Sequence, residues 1–284
     1  MTGVVIERER RSPPVATTGP RWTWILATTA VWVVAIACAA FFWGFLNNGV
    51  HGLDSRAYWS AARTGHLYGT PPGRAGAYLY SPVFATLIWP LAQLPQSAFV
   101  ATWMVIEGAA FVWLLRPLGV RWGVPAFCLC FAELVVGNIY ALLAVVAVVG
   151  LRRPAAWALP LLTKITPGLG PAWFAGRRDW HSAAWALGAT GLIAAVSFAL
   201  TPHAWHQWFS FLIDHHGESQ LLLPVRVAAA VALVYWAGRR NRSWLVAVAM
   251  LLANPMVHHS EMALTILAAL PRLVIADRRR EAAR

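Results

Sequence analysis

Residues 52–94 read GLDSRAYWSAARTGHLYGTPPGRAGAYLYSPVFATLIWPLAQL, with a single acid, Asp54, just after a long apolar run. Apolar and aromatic side chains then recur at roughly helical spacing, at Tyr58, Trp59 and Ala62. This spacing predicts a short amphipathic helix that lies in a membrane interface. A second apolar run begins at Tyr80, so the stretch predicts a carboxylate held at a bilayer surface between two hydrophobic segments.

The composition of the whole chain agrees with a membrane location. The 284 residues are 59% hydrophobic and only 12% charged, with a mean hydropathy of +0.56. Soluble domains carry about 25% charged residues. The 17 tryptophans fit a protein with many anchors in the headgroup zone. We therefore predict an all-α, polytopic transmembrane helical bundle of about nine to ten spans, with a short interfacial helix after the first span.

Apolar runs between charge clusters give the predicted spans. They are 22–46, 79–95, 98–116, 122–136, 138–151, 155–175, 181–200, 220–237, 243–257 and 262–276. Ten crossings from a cytoplasmic N-terminus place the arginines of 177–178, 239–242 and 278–280 inside, as the positive-inside rule requires. The same count places Arg152 and Arg153 outside, against the rule. Short neighbouring runs are typical of broken or re-entrant helices.

Three regions follow from this reading. Residues 1–21 are expected to form a disordered cytoplasmic tail, residues 22–276 a transmembrane domain, and residues 277–284 a basic cytoplasmic tail. The first apolar run is longer than the roughly 7–15 residues of a signal-peptide core, so we expect a retained span.

The charge distribution separates the two faces. The net charge is +12, but the arginines cluster between apolar runs instead of forming one basic face, so no nucleic-acid partner is expected. Segments 47–78, 201–219 and 254–261 fall on the outer side and hold all histidines but His181. Any chemistry is therefore expected to face outward.

Two charged residues, Asp54 and Lys164, each have two possible roles. Asp54 is either the N-cap of the predicted helix, for which aspartate is a preferred residue, or a catalytic carboxylate. Lys164 lies between apolar residues, where a lysine is costly and normally faces a polar cavity or partner. It serves either as a phosphate contact or as a lysine that snorkels to the interface.

Weaker candidates lie elsewhere in the chain. His258 and His259 interrupt two apolar runs and suit phosphate binding or proton transfer. His203, His206 and Asp214 are possible zinc ligands, but no HExxH arrangement supports a metal, and none is expected. Glu107 and Glu133 are each a buried partner for Lys164 or Arg116, or part of an ion path. Walker, dinucleotide and GxSxG motifs are absent, so no cofactor is expected.

Three motifs resemble those of one known family. The first is Asp54 with Tyr58 and Leu67-Tyr68, followed by Tyr80-Ser81-Pro82; the second is Gly137-Asn138-Ile139-Tyr140; the third is Lys164-Ile165-Thr166-Pro167. In this order they resemble glycosyltransferase family 87, whose GT-C-type membrane members include polyprenol-phosphate-mannose-dependent mannosyltransferases. Asn138 stands where the family usually has Gln, and Ile165 stands where it usually has Pro.

The resemblance implies a function. It implies transfer of a sugar, mannose or another hexose, from a polyprenyl-phosphate donor to an envelope glycolipid or glycan, on the external face of the cell membrane and with inversion. Asp54 matches the catalytic aspartate and would act as general base. The implied substrate-binding residues are Lys164, His258, His259, Arg56, Arg63, Tyr80 and Asn138. Polyprenyl phosphate leaves as a stabilised anion, so one base and a cationic clamp suffice.

Two other functions remain open at this point. In a transporter or lipid flippase, Glu107, Glu133 and Lys164 would line a pathway, although no paired repeat supports it. The short chain also fits a catalytically silent subunit of an envelope-assembly complex.

Overall fold

The computed structural model describes residues 21–48, 51–214, 222–255 and 261–283. Within these ranges every regular element is a helix, and no strand occurs. The predicted all-α helical membrane protein is confirmed. Of the expected N-terminal tail, residues 1–20 lie outside the described residues.

The described part of the first half of the chain contains seven α-helices. They are α1 (Arg21–Asn47), α2 (Leu53–Thr64), α3 (Pro82–Ile88), α4 (Gln96–Leu115), α5 (Gly119–Leu129), α6 (Phe131–Val136) and α7 (Tyr140–Val149). Of these, α3, α4 and α6 pack against α2, the helix that carries Asp54. Short 3₁₀ segments follow α3 at Leu91–Gln93 and α4 at Arg116–Leu118.

The second half contains shorter pieces and two longer helices. They are α8 (Ala158–Thr163), α9 (Gly170–Gly176), α10 (Trp180–Leu200), α11 (Pro202–Asp214), α12 (Leu223–Arg240), α13 (Leu245–Leu252) and α14 (Leu270–Ala282). Two 3₁₀ segments, Pro154–Trp157 and Glu261–Ala269, precede α8 and α14.

Three described helical segments are long and apolar enough to cross a bilayer. They are Trp22–Gly44, Gln96–Leu129 and Trp180–Leu200. Only 6% of the first and 11% of the third is buried inside the protein, so α1 and α10 present apolar side chains on nearly every side. Helices of this kind need lipid or protein around them. The remaining crossings of the predicted nine to ten stay a prediction.

The segment Gln96–Leu129 turns back on itself. At 34 residues one straight helix would be about 51 Å long, well beyond the ~30 Å hydrocarbon core. The reversal falls at the 3₁₀ turn Arg116–Leu118 and at Gly119, whose φ is 67°. After it, α5 and α6 run antiparallel to α4, so that Gly108 faces Leu134 and Trp103 lies beside Gly137.

The bundle has two chemically different ends, because α4, α7 and α12 run in the same direction. Helix α4 begins near Asp54, since its Val100 lies against Gly52, and α7 begins at Tyr140. Helix α12 begins near Tyr140, since its Arg226 donates to the carbonyl of Asn254 over 2.6 Å and Asn254 also contacts Tyr140. The last residues of the three helices lead to arginines, of which Arg116 and Arg152 line one cavity with residues of α14. We call these the acid end and the arginine end.

This arrangement corrects the predicted side of Arg152 and Arg153. Both lie at the arginine end, together with Arg279 and Arg280, and not on the opposite side. The cause is segment 79–95, which was expected to be a span.

Segment 79–95 does not traverse the bundle. Its helix α3 has only seven residues, and both ends of the segment lie beside α2, where Tyr58 contacts Tyr80 and the Trp59 indole donates to the Leu94 carbonyl over 2.9 Å. Without a crossing at 79–95, each later run up to residue 151 crosses in the direction opposite to the predicted one, which moves Arg152 to the other side. The pair α8 and α9 runs toward Lys164 and back, so it does not cross either. Arg177 therefore keeps its predicted side.

The expected boundary of the C-terminal tail at residue 277 falls inside α14. Asp277 is only 5% exposed and accepts a hydrogen bond from the Ser243 hydroxyl over 2.6 Å. The helix therefore packs against the end of α12 and the start of α13 before it ends at Ala282.

Close helix packing gives a first prediction. A Cβ on Gly238 would lie 2.5 Å from the Trp173 carbonyl oxygen, where α12 crosses α9. Gly238→Ala should therefore destabilise the protein by about 1–3 kcal/mol, because backbone must shift to admit the methyl group. Thermal unfolding of the purified protein measures the effect. Gly188→Ala in α10 is the matched control, since open space surrounds that position; equal melting temperatures for the two variants would contradict the packing.

Candidate active site

The acid Asp54 lies in the first turn of α2 and does not cap it. The N-cap is Gly52, with φ 67°, and no side chain caps the helix. The Gly52 N–H instead donates to the Val135 carbonyl over 2.6 Å, which ties the start of α2 to α6. The capping interpretation of Asp54 is therefore wrong. The half-buried carboxylate remains close to the positive end of the helix dipole, which favours its ionised form.

Asn138 holds Asp54 in a defined orientation. Its Nδ2 donates to Asp54 Oδ2, while its Oδ1 accepts the Ile139 N–H over 2.7 Å. Because the acceptor oxygen is occupied by a backbone donor, the amide nitrogen must face the carboxylate. Gly137 permits this approach. Its φ is 74°, and a Cβ there would lie 2.6 Å from Ser55 Oγ.

Lys164 follows the last residue of α8 and turns its ammonium group toward two aromatic rings. Nζ lies 4.1 Å from the ring centroid of Tyr140 and 5.4 Å from that of Tyr80. Such cation–π contacts hold an ammonium without neutralising it. Both rings are buried, so the ammonium group lies inside the protein and not at the bilayer interface. Lys164 also interacts electrostatically with Asp54.

The backbone after Lys164 adopts an uncommon conformation. Ile165 has φ 56°, which is costly for a β-branched residue, at about 1–3 kcal/mol. A proline at this position could not adopt it, because the ring fixes φ near −65°. A proline in place of Ile165 would therefore require a different local turn.

A tyrosine cluster forms one wall beside the acid. The hydroxyl groups of Tyr58 and Tyr80 are 2.9 Å apart, and the Tyr68 hydroxyl donates to the Tyr80 carbonyl over 2.8 Å. The Ser81 hydroxyl donates to the Leu162 carbonyl over 2.5 Å. That bond joins the Tyr80 turn to α8 and so fixes the ring beneath Lys164.

Glu133 and Tyr140 complete the centre on the side of α6 and α7. Glu133 is fully buried, and its Oε1 accepts the Tyr140 N–H over 2.6 Å. It also lies close enough to Lys164 to interact electrostatically. The Tyr140 hydroxyl donates to Asn254 Oδ1 over 3.2 Å. Glu133 therefore bonds directly to the backbone of Tyr140 and acts on Lys164 through its charge alone.

Two of these residues, Tyr58 and Tyr140, were not among the predicted site residues. Tyr58 lies four residues after Asp54, so the two share one face of a helix. This spacing was a usable signal. Tyr140 ends the second motif, Gly137-Asn138-Ile139-Tyr140, which is a signal for the region, but its place beside Lys164 depends on a contact between α7 and α8 that spacing does not reveal.

The environment of Asp54 sets its affinity for a proton. Burial raises the pKa of the Asp54 carboxyl above its ordinary value, while the Lys164 charge and the Asn138 hydrogen bond oppose that rise. The group is therefore a stronger base than an exposed aspartate. The nearby cation and amide still stabilise its ionised form.

The remaining predicted site residues have other contacts or lie outside the residues that the structure describes. Arg56 contacts the His51 ring at 3.3 Å. Arg63 lies about 13 Å along α2 from Asp54, where it donates to Gln93 Oε1 over 2.9 Å. His258 and His259 lie outside the described residues.

Metal ligands do not converge anywhere in the described ranges. No group of three or more His, Cys, Asp or Glu side chains occurs there. The possible zinc ligand His203 contacts Gln207 at 3.0 Å.

The fold and this centre define a helical membrane protein with a polar site built from an acid, an amide, a lysine and tyrosines. The sequence profile of glycosyltransferase family 87 matches residues 78–284, which is more than half of the chain. The chain belongs to glycosyltransferase family 87 and is a membrane glycosyltransferase. No curated protein matches the chain significantly. No solved structure does so either.

The region that matches the family contains some residues of the site but not all of them. Tyr80, Asn138 and Lys164 lie inside the matched region, whereas Asp54 precedes it. The hydrogen bond from Asn138 to Asp54 therefore joins a residue of the matched region to the helix α2 that stands before it.

Proposed function

We propose that this protein transfers a hexose, such as mannose, from a polyprenyl-phosphate donor to a hydroxyl group of an envelope glycolipid or glycan, with inversion. The observation that carries the proposal is the contact of Asp54 with Asn138, in electrostatic reach of Lys164. It supplies a base and a cation side by side, which is what displacement of a phosphate leaving group needs.

In the proposed step, Asp54 takes the proton of the acceptor hydroxyl. The acceptor oxygen forms a bond to the anomeric carbon as the bond from that carbon to the phosphate oxygen breaks. The electron pair leaves with the polyprenyl phosphate, which gains one negative charge. No general acid is needed, because a phosphate monoester is already a stable anion.

Cations are proposed to receive the departing phosphate. Lys164 is the main candidate, since its ammonium group lies over Tyr140 and beside Asp54 without a full ion pair. His258 and His259 follow Asn254 by four and five residues, and we propose that one of them also contacts the phosphate. Arg56 and Arg63 are proposed to contact donor phosphate or lipid headgroups.

Tyr80 and Asn138 have positioning roles in the proposal. Asn138 orients the carboxylate, and the Tyr80 ring supports the Lys164 side chain. Both are proposed to border the bound sugar.

The arginine end supports an outward-facing site. Arg116, Arg152, Arg153, Arg279 and Arg280 lie together at one end of the bundle. Because arginines of short loops stay in the cytoplasm, Asp54 at the opposite end is proposed to face the extracytoplasmic side of a multi-pass cell-membrane protein. A polyprenyl chain would lie in the same leaflet.

The donor class is the second prediction. The full-length protein in liposomes should transfer labelled sugar from polyprenyl-phosphate hexoses presented one at a time, and the product should have the inverted anomeric configuration. Nucleotide sugars under the same conditions should give no product. Transfer from nucleotide sugars alone would contradict the proposal, as would passage of the donor across the bilayer without any transfer, which would favour a transporter.

A further inference from the structure

A large cationic cavity lies at the arginine end, far from the site described above. Its volume is about 870 Å³. Six arginines line it, namely Arg116, Arg152, Arg153, Arg272, Arg279 and Arg280. No acidic residue is among the residues that line it.

The acids nearest to this cavity along α14 are already engaged. Asp277 accepts from Ser243 and lies 3.4 Å from Arg280, and Glu281 pairs with Arg242 over 2.8 Å. In the ranges that the structure describes, no carboxylate pairs with Arg116, Arg152, Arg153 or Arg279. A group of like charges repels itself and attracts a counterion of high charge.

Part of the cavity wall is held rigidly. The Arg272 Nε donates to the Trp113 carbonyl over 2.7 Å, and its guanidinium group stacks 3.8 Å from the Trp113 ring centroid. Arg272 is also close enough to Arg116 for the two charges to repel. A guanidinium group fixed in this way keeps its remaining N–H groups ready for a bidentate phosphate contact.

The cavity adjoins an apolar groove on the outer surface. Arg116 also borders a second cavity of about 370 Å³ between α4 and α5. That groove is lined by Val112, Val120, Val124 and Phe127 among others, and the three valines are exposed. A phosphate group over Arg116 would therefore have an apolar slot directly beside it.

We propose that this site binds one anionic phospholipid, with its phosphate headgroup among the arginines and one acyl chain in the groove between α4 and α5. Charge complementarity selects the anionic headgroup. The groove selects a lipid over a free phosphate, because a free phosphate would leave the slot empty. The site is separate from the proposed donor site at the acid end.

Native mass spectrometry of the full-length protein released from nanodiscs tests this proposal. Phosphatidylglycerol is the probe and phosphatidylcholine is the reference lipid. The test variant is Arg116→Gln with Arg153→Gln, both exposed side chains. The matched control is Arg239→Gln with Arg240→Gln, which removes two exposed charges at the same end but outside this cavity.

We expect the wild-type protein to retain phosphatidylglycerol in preference to phosphatidylcholine. The test variant should lose about 30-fold in affinity for phosphatidylglycerol, and the control should stay close to wild type. Equal losses in the two variants would overturn the proposal, since only diffuse charge attraction would then remain. Displacement of phosphatidylglycerol by millimolar inorganic pyrophosphate would also overturn it, since the groove would then contribute nothing.

Discussion

Asp54→Asn should lower the rate of sugar transfer about 10²- to 10⁴-fold, the usual contribution of a positioned general base. Asparagine keeps the size of the side chain but cannot accept the proton of the acceptor hydroxyl. Donor binding should be nearly unchanged, because Lys164 still faces the phosphate. Steady-state rates with a saturating polyprenyl-phosphate sugar measure the first effect, and retention of labelled donor on the purified protein measures the second.

Asp54→Glu serves as the conservative comparison. It keeps a carboxylate but moves it by one methylene relative to Asn138, so we expect a measurable but reduced rate. Loss of donor binding in Asp54→Asn, together with unchanged transfer at saturating donor, would show that the residue binds substrate and does not take a proton.

Lys164→Met should lower transfer about 10²- to 10³-fold, comparable to the loss of one preorganised group that stabilises developing charge. Methionine fills the space beside the Tyr80 and Tyr140 rings but leaves the departing phosphate without its cation. The loss should appear in kcat, because charge on the phosphate oxygen grows as the bond breaks. Steady-state kinetics of the purified variant in liposomes measures it.

Lys164→Met should also change the pH dependence of sugar transfer. Asp54 must be ionised to act, and burial already raises the pKa of its carboxyl, so the acid limb of the wild-type profile should lie above the ~3.9 of a free aspartate. Lys164 opposes that rise. Its removal should therefore raise the pKa of Asp54 further and shift the acid limb to higher pH.

Lys164→Arg is the control for charge. It keeps the cation, so its acid limb should stay near that of wild type even if the rate falls. An acid limb that does not move in Lys164→Met would contradict the electrostatic link between Lys164 and Asp54.

Much of this site was visible in the sequence, because its residues carry local signals. Asp54 precedes an amphipathic pattern that does form the helix α2. Lys164 stands out because a charge within an apolar run needs a partner. Asn138 and Tyr80 were found through motifs, and the structure brings both next to these two residues.

Of the two alternatives for Asp54, the structure excludes the N-cap because a tertiary contact sets where the helix begins. The helix begins one residue before Asp54, because Gly52 adopts φ 67° and bonds to Val135 of α6. This start is set by a tertiary hydrogen bond, which no capping preference in the sequence reports.

The topology was mispredicted where apolar runs are short. Segment 79–95 is apolar enough to suggest a span, but Pro82, Pro90 and Pro95 divide it, and its helix ends after seven residues. Proline limits helix length, and the contacts with α2 keep the segment at one end. The outward placement of Arg152 and Arg153 followed from counting that run as a crossing.

The two ends of the bundle differ in the charged residues that they carry. The acid end gathers Asp54, Lys164 and the tyrosines, whereas the arginine end gathers six arginines around a cavity. Because arginines of short loops stay in the cytoplasm, we propose that the arginine end faces the cytoplasm. The difference between the two ends also separates the proposed chemistry from the proposed lipid site.

The most direct measurement compares sugar transfer by Asp54→Asn and Asp214→Asn, prepared and reconstituted side by side. Asp214 is an exposed acid at the end of α11, so its variant controls for the loss of one carboxylate. We predict transfer at the wild-type rate for Asp214→Asn and at least a hundredfold slower for Asp54→Asn. Wild-type transfer by a folded Asp54→Asn protein would contradict the account.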